Sequence, residues 1–154
     1  MIGIVDTGVG NTLSVRRAIA AVTSEPLCHW GLADKLVFAG QGSFASIDES
    51  TKMLLKHRIN DGVPYLGICL GMQILYDESE EAPDVPGLGV LPGVVRKLPR
   101  MRMGYEDGHY FCHQYSCGVD DVTQKNVTGV QWHPEKSGKR GLEWLDTWFK
   151  GMRC

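Results

Sequence analysis

The residues of this sequence with the clearest chemical potential are a cysteine and the glycines around it. Cys69 stands in Gly67-Ile68-Cys69-Leu70-Gly71, with mainly apolar residues on both sides. Small residues two positions before and after a nucleophile let a strand and the following helix approach closely, as in a nucleophile elbow. The sequence therefore predicts a strained turn that presents the thiol at a helix N-terminus, whose dipole lowers the pKa of the cysteine. Such a thiol could serve as the nucleophile in acyl transfer.

A nucleophilic thiol needs a base, and His133 is the histidine with the most suitable sequence context. It follows strand-like residues and begins the segment His133-Pro134-Glu135. Because proline fixes its own φ and favours an extended residue before it, this bend can bring Glu135 to one ring nitrogen of His133. The other ring nitrogen is then free to accept the Cys69 proton. We therefore predict a triad of Cys69, His133 and Glu135.

Each part of this triad also has a purely structural interpretation. A single buried cysteine is usually an inert apolar residue, and a His-Pro-Glu segment is often only a turn. The two motifs occur together, one at a strand–turn–helix and the other at a later strand end. That combination favours a cysteine nucleophile over a core cysteine.

The negatively charged oxygen that forms in acyl transfer needs N–H donors around it. The backbone N–H of Leu70, directly after the nucleophile, is one candidate. The loop Gly40-Gln41-Gly42 could provide another through Gln41 or Gly42, because glycines permit the backbone rotation that turns an amide toward the site. A plain strand-to-helix turn is the alternative interpretation of this loop.

Strands and helices alternate along the first half of the chain, which predicts a mostly parallel α/β sheet. We predict strands at residues 1–6, 26–30, 36–39 and 65–68. One predicted helix carries an apolar face at i, i+3, i+4 and i+7, formed by Val15, Ala18, Ile19 and Val22. Two further helices are expected at 47–61 and 70–76.

The second half of the chain is rich in strand-like segments with short turns. Residues 77–89 are acidic and contain proline and glycine, which predicts a surface loop. Strands are expected at 90–98, 109–117 and 127–133. A closing amphipathic helix is indicated by a row of apolar residues at Leu142, Leu145, Phe149 and Met152.

The composition is typical of one globular domain, which we assign to residues 1–154. A formal net charge of −2 argues against nucleic-acid binding, and the sequence has no apolar run long enough to span a membrane. Five cysteines, an odd number, favour a reduced, cytoplasmic compartment. A zinc cluster is conceivable between residues 109 and 117, but that segment fits a strand better, so we expect no metal and no cofactor.

These motifs resemble those of the class I glutamine amidotransferase family, and in particular its glutaminase subunits of histidine biosynthesis. The resemblance runs along the whole chain with gaps, and four segments carry it: residues 1–11, 67–73, 87–95 and 129–137. It implies a three-layer, flavodoxin-like α/β sandwich whose β-rich second half is shortened.

The resemblance implies hydrolysis of L-glutamine to glutamate and ammonia through a thioester on Cys69. Further residues are then implied to contact glutamine: Gly40, Gln73, His113, Gln114 and Tyr115. Asn11 and Lys136 would face a (β/α)₈-barrel cyclase subunit, which would receive the ammonia directly.

The chain also departs from the family pattern. Gln41 stands where the loop usually has valine, Gln114 where a serine is expected, and only 64 positions separate Cys69 from His133. Lost strands would uncover apolar surface and leave unpaired sheet edges. Two alternatives therefore stay open: ammonia supply to another acceptor, as in surface-sugar amidation, and a non-catalytic binding or regulatory module.

Overall fold

The computed structural model describes residues 1–8, 12–40 and 42–151. Its main sheet has six strands in the order β2-β1-β3-β4-β9-β8. Five of them are parallel, and only β8 runs antiparallel to its neighbour β9. The strands are β1 (Ile2–Val5), β2 (Leu27–Cys28), β3 (Lys35–Gly40), β4 (Tyr65–Cys69), β8 (Asp121–Gln124) and β9 (Val127–Val130). The predicted mostly parallel sheet is confirmed.

Helices cover both faces of this sheet, and alternate residues of each strand point to opposite sides. On β3, Leu36 and Phe38 pack in the core beneath α2 (Glu49–Asn60), whereas Val37 and Ala39 pack in the core beneath α1 (Thr12–Val22) and α4 (Gly138–Gly151). The three-layer sandwich is therefore confirmed. None of the helices within the described ranges is long and apolar enough to cross a membrane.

The apolar periodicities located α1 and α4 correctly, and the helix expected at 47–61 is present as α2. In α1, Val15, Ala18 and Ile19 are buried against the sheet. Helix α2 begins where the Asp48 carboxylate accepts a hydrogen bond from the Thr51 N–H, as expected of an N-cap. In α4, Leu145 and Phe149 are buried and Leu142 is half-buried, while Met152 lies outside the described residues.

A smaller sheet follows, made of β5 (Glu78–Ser79), β6 (Val94–Glu106) and β7 (His109–Ser116). The predicted strand at 90–98 was wrong in its bounds, because it begins at Val94 and continues through an irregularity between Lys97 and Arg102. The predicted loop at 77–89 is not wholly a surface loop, since it contains β5 and buries Ser79 and Leu88. The β-rich second half is confirmed, in this revised form.

Several other boundaries differ from the prediction, since the helix expected at 47–61 spans Glu49–Asn60 and the strand expected at 26–30 spans only Leu27–Cys28. Strand β9 ends at Val130 rather than at residue 133, and β8 was not predicted at all. The helix after Cys69, α3, spans only Leu70–Gln73 instead of 70–76. It ends there because the carbonyls of residues 74–76 accept hydrogen bonds from the backbone of residues 88–91 instead of continuing a helix.

Candidate active site

Cys69 lies at the sharp turn between β4 and α3. Its backbone has φ 54° and ψ −104°, a conformation that residues other than glycine rarely adopt. The glycines on either side are sterically required. A Cβ on Gly67 would lie 2.3 Å from the Gly71 carbonyl oxygen, and a Cβ on Gly71 would lie 2.0 Å from the Phe38 carbonyl oxygen. The strained, closely packed elbow predicted from the spacing is therefore confirmed.

The thiol of Cys69 is kept protonated by its surroundings. The residue is 6% exposed, and burial is the main cause that raises the pKa to about 12, although the Leu70 N–H and the Gln131 side chain oppose this by hydrogen bonding to the sulfur. The predicted lowering of the cysteine pKa by a helix dipole was wrong. Helix α3 has a single turn, so its dipole is short, and desolvation of the charged sulfur dominates.

His133 and Glu135 form a buried pair. The Nδ1 atom of His133 lies 2.9 Å from Oε1 of Glu135, and their side chains are only 2% and 4% exposed. Pro134 lies between them at the start of a 3₁₀ turn, Pro134–Lys136. The local prediction that this bend brings the carboxylate to the imidazole is confirmed. The carboxylate holds the Nδ1 proton in place, which leaves Nε2 as the nitrogen that can accept a proton.

The backbone around His133 is fixed by β7 and by the turn itself. The His133 N–H donates to the Tyr110 carbonyl at 2.8 Å, and the Ser137 hydroxyl donates to the His133 carbonyl at 2.7 Å. The Tyr110 N–H in turn donates to the Ser137 oxygen at 2.9 Å. Helix α4 packs directly on the turn, because a Cβ on Gly141 would lie 2.0 Å from the Pro134 carbonyl. The imidazole is thus rigidly held.

The thiol and the imidazole are not hydrogen-bonded to each other. Besides the Leu70 N–H, the polar neighbours of the Cys69 sulfur are the Gln131 amide nitrogen at 3.6 Å and the Cys112 carbonyl oxygen at 3.9 Å. Nε2 of His133 is buried and has no hydrogen-bond partner within the described part of the chain. The three residues of the predicted triad thus form a hydrogen-bonded His133–Glu135 pair and a separate, protonated thiol.

A cavity of about 260 Å³ opens in front of the elbow. Predicted site residues make up most of its lining: Gly40, Gly42, Cys69, Leu70, Gln73, His113, Gln114 and Tyr115. Strand pairing places Gly40 directly beside Cys69. His133 and Glu135 are not among the lining residues, and Gln41 lies outside the described residues. The cavity is therefore formed by three parts of the chain, which are the elbow, β7 and the loop that follows β3.

The side chains predicted to contact glutamine differ in whether they are already hydrogen-bonded within the protein. The Gln73 amide already donates to the Tyr115 carbonyl at 2.8 Å, and the Gln114 amide donates to the Leu98 carbonyl at 2.7 Å. His113 is different, because both of its ring nitrogens are buried without a partner among the described residues. Burial, followed by the charge of Arg102, lowers the pKa of His113 to about 4, so its ring is neutral at pH 7.

Sequence reasoning missed four residues at this site. Cys112, Met101 and Glu81 line the cavity, and Gln131 contacts the thiol without lining the cavity. Glu81 accepts a hydrogen bond from the Phe44 N–H at 2.8 Å, so it steadies the chain just after the loop at 40–42. Nothing in the sequence separates Glu81 from the other acidic residues of its segment. For Gln131 a signal existed, since it is a polar residue among apolar neighbours.

Of the two predicted partner contacts, only Lys136 is described by the structure. It is half-buried on the 3₁₀ turn, where its carbonyl accepts a hydrogen bond from the Tyr105 hydroxyl at 2.8 Å and its Nζ lies 5.6 Å from the Tyr110 ring centroid. Asn11 lies outside the described residues. Among the described residues, no group of three or more histidine, cysteine or acidic side chains is arranged to hold a metal ion.

The sequence of this chain is similar to known proteins along its length. The family described as "Glutamine amidotransferase class-I" matches residues 23–114. A protein of Thermococcus kodakarensis named "Imidazole glycerol phosphate synthase subunit HisH" is 38% identical, with 95% of this chain and 97% of the relative covered. A protein of the same name from Methanothermobacter thermautotrophicus is 34% identical, with both chains covered completely.

The shortening expected from the sequence is visible in these alignments. The alignment with the Thermococcus protein spans 191 positions, more than the 154 residues of this chain, so the chain lacks segments that the relative has.

Solved structures share the fold. One described as "Crystal structure of glutamine amidotransferase" has a TM-score of 0.70 at 17% identity and covers 98% of this chain and 99% of its own. Another, a putative GMP synthase protein from Thermoplasma acidophilum, has a TM-score of 0.64 at 15% identity, with 97% and 92% covered.

Proposed function

Because the chain belongs to the class I glutamine amidotransferase family, we propose that it is the glutaminase subunit of an imidazole glycerol phosphate synthase. It hydrolyses L-glutamine to glutamate and ammonia. It passes the ammonia to a (β/α)₈-barrel cyclase subunit in histidine biosynthesis. One observation carries the chemistry: the strained Cys69 faces a cavity, while the strand end beside it holds a buried His133–Glu135 pair.

The first step is attack of the Cys69 sulfur on the side-chain amide carbon of glutamine. The thiol proton passes to Nε2 of His133, and the resulting imidazolium is stabilised by the Glu135 carboxylate. The carbonyl electrons move onto the oxygen, which the Leu70 N–H and the loop at 40–42 would stabilise. His133 then returns its proton to the amide nitrogen. The carbon–nitrogen bond breaks, and ammonia and a γ-glutamyl thioester form.

The second step hydrolyses this thioester. His133 takes a proton from a water molecule as the oxygen attacks the thioester carbon. The carbon–sulfur bond then breaks, His133 protonates the sulfur, and glutamate leaves. Every proton and bond is restored on the protein, so no cofactor is needed. Gly40, Gln73 and the β7 segment from His113 to Tyr115 hold the amino-acid end of glutamine.

The free chain is expected to be nearly inactive. The Cys69 thiol is protonated and not bonded to His133, and both amides that would meet glutamine are engaged within the protein. Docking of the cyclase against Lys136 and Asn11 would bring the thiol to Nε2 and release these contacts. Such completion of a site on binding is common in enzymes with gated activity.

Affinity labelling tests whether this site accepts glutamine. A diazo-ketone analogue of glutamine should alkylate Cys69 in the presence of the cyclase, and mass spectrometry should map the adduct to that residue. Cys69→Ala should remain unlabelled, and excess glutamine should protect the wild-type chain. No labelling, either alone or with a cyclase, would instead support a non-catalytic binding module.

The identity of the ammonia acceptor needs a separate measurement. Glutamate release is measured for the chain alone, with an imidazole glycerol phosphate synthase cyclase, and with a sugar-amidating partner. We expect stimulation by the cyclase only. Stimulation by the sugar-amidating partner alone would retain the glutaminase chemistry but refute the assignment to histidine biosynthesis.

A further inference from the structure

A buried glutamine touches the proposed nucleophile but has no role in the mechanism above. Gln131 has no exposed surface. Its Nε2 donates to the Cys69 sulfur at 3.6 Å, and its Oε1 accepts from Nε2 of Gln73 at 3.3 Å. Its side chain therefore lies between the thiol and a residue of the cavity wall.

The backbone holds Gln131 in place. It directly follows β9, and its N–H donates to the Asp120 carbonyl at 2.8 Å. It is also two residues before His133, so one strand end supplies both the amide and the imidazole to the site. Because the side chain is shielded from water, its contacts face no competition from solvent.

The network also fixes the orientation of the Gln131 amide. An amide NH₂ group has two donors. Gln73 directs its NH₂ group to the Tyr115 carbonyl at 2.8 Å and to the Gln131 oxygen. The Gln131 oxygen must face Gln73 to accept this bond, so its NH₂ group faces the sulfur. The order of contacts is thus β7, Gln73, Gln131 and thiol.

We propose that Gln131 is a positioning residue for the Cys69 nucleophile, which directs an N–H to the sulfur and ties it through Gln73 to the β7 wall of the cavity. This inference rests on the proposed function, in which Cys69 attacks glutamine. The amide stabilises the thiolate when the proton leaves, because a hydrogen bond to a charged group is stronger than one to a neutral group. Substrate that draws Gln73 away from Tyr115 would therefore also change the hydrogen bond from Gln131 to the sulfur.

The size of the effect follows from the type of bond. Loss of a hydrogen bond to a charged group changes the population of the charged form by about tenfold to a hundredfold. Alkylation by iodoacetamide depends on the thiolate. Its rate at Cys69 should therefore fall at least about tenfold when the donor is removed, which is a shift of the pH profile to higher pH by at least about one unit.

Two variants and one control test this in the full-length chain without glutamine or cyclase. Gln131→Met keeps the length of the side chain but removes all of its polar atoms. Gln131→Asn keeps a neutral amide but is one methylene shorter, so its NH₂ group no longer reaches the sulfur. Gln124→Met makes the same chemical change at an exposed position on β8. The rate of Cys69 alkylation is followed by peptide mass spectrometry from pH 7 to pH 10.

Both Gln131 variants should be alkylated more slowly than the wild-type chain, with Gln124→Met unchanged. Circular dichroism confirms that each variant is folded, and Gln131→Asn decides if Gln131→Met does not fold. A wild-type rate with an unshifted pH profile in a folded Gln131 variant would overturn the proposal. Since this readout needs no turnover, a protein that stays inactive with the cyclase but shows Gln131-dependent alkylation would refute the glutaminase assignment and leave the positioning role intact.

Discussion

Replacement of Gly71 by alanine tests the packing on which the elbow depends. The added Cβ would lie 2.0 Å from the carbonyl oxygen and 2.9 Å from the carbonyl carbon of Phe38. Both are backbone atoms of β3, so no side chain can rotate to relieve the overlap. Helix α3 would have to move away from the sheet, and it would carry Cys69 and Leu70 with it.

The expected loss of stability is the difference between two terms. Overpacking of this kind costs roughly 3 kcal/mol, at the upper end of its usual range, because the clash is with the main chain. Alanine recovers at most about 1 kcal/mol over glycine in a helix. The free energy of unfolding should therefore fall by about 2 kcal/mol. Gly151→Ala is the matched control, since Gly151 ends α4 with no atom within 4 Å of the added Cβ.

Urea unfolding measures this difference directly. With a slope of about 2 kcal/mol per molar urea, the midpoint of Gly71→Ala should fall by about 1 M. The midpoint of Gly151→Ala should stay the same or rise slightly. If Gly71→Ala unfolded at the wild-type midpoint, α3 would not lie against β3 as described, and the elbow geometry at Cys69 would be wrong.

Three further predictions concern the titration and pairing of site residues. Because the pKa of His113 is about 4 in the folded chain against an ordinary histidine pKa of 6.5, the unfolded chain takes up the proton first. Stability is then fully present above pH 6.5 and should fall by about 3 kcal/mol as the pH drops to 4. Urea unfolding across this range should show a smaller decline in the free energy of unfolding for His113→Leu than for the wild-type chain. Equal declines in the two chains would contradict the lowered pKa of His113. Glu135→Gln should lower cyclase-stimulated glutamate release by about a thousandfold with little change in KM, because His133 loses the group that fixes its tautomer; a decrease below tenfold would exclude this role. With the pKa of Cys69 at about 12, its alkylation rate in the free chain should rise about tenfold per pH unit from pH 8 to 10, and a plateau in that range would disprove the raised pKa.

Local chemistry made part of the site predictable from the sequence. The spacing of Gly67, Cys69 and Gly71 reflects the lack of room for a Cβ on either side of the turn at Cys69. It therefore located the elbow correctly. The proximity of His133 and Glu135 was equally local, because proline restricts the two residues around it. The regularly spaced apolar residues of α1 and α4 are also a local feature of the sequence, and they located these helices.

Features set by distant contacts were not predictable in this way. Helix α3 is short because carbonyls just after it bond to residues 88–91. Strand β8, with one half-buried valine among polar residues, is a strand only because β9 pairs with it. The raised pKa of Cys69 and the contact from Gln131 depend on burial, which no short motif records.

The separation of the Cys69 thiol from His133 has a consequence for the lifetime of the protein. Peroxide and other oxidants attack the thiolate form of cysteine, and repeated oxidation to sulfinic or sulfonic acid is irreversible. A nucleophile that stays protonated until its site is completed is therefore also shielded from chemical damage while it waits. If the proposed cyclase completes the site, chains made in excess of it would keep an intact sulfur, and the sulfur would become vulnerable to oxidation only during turnover.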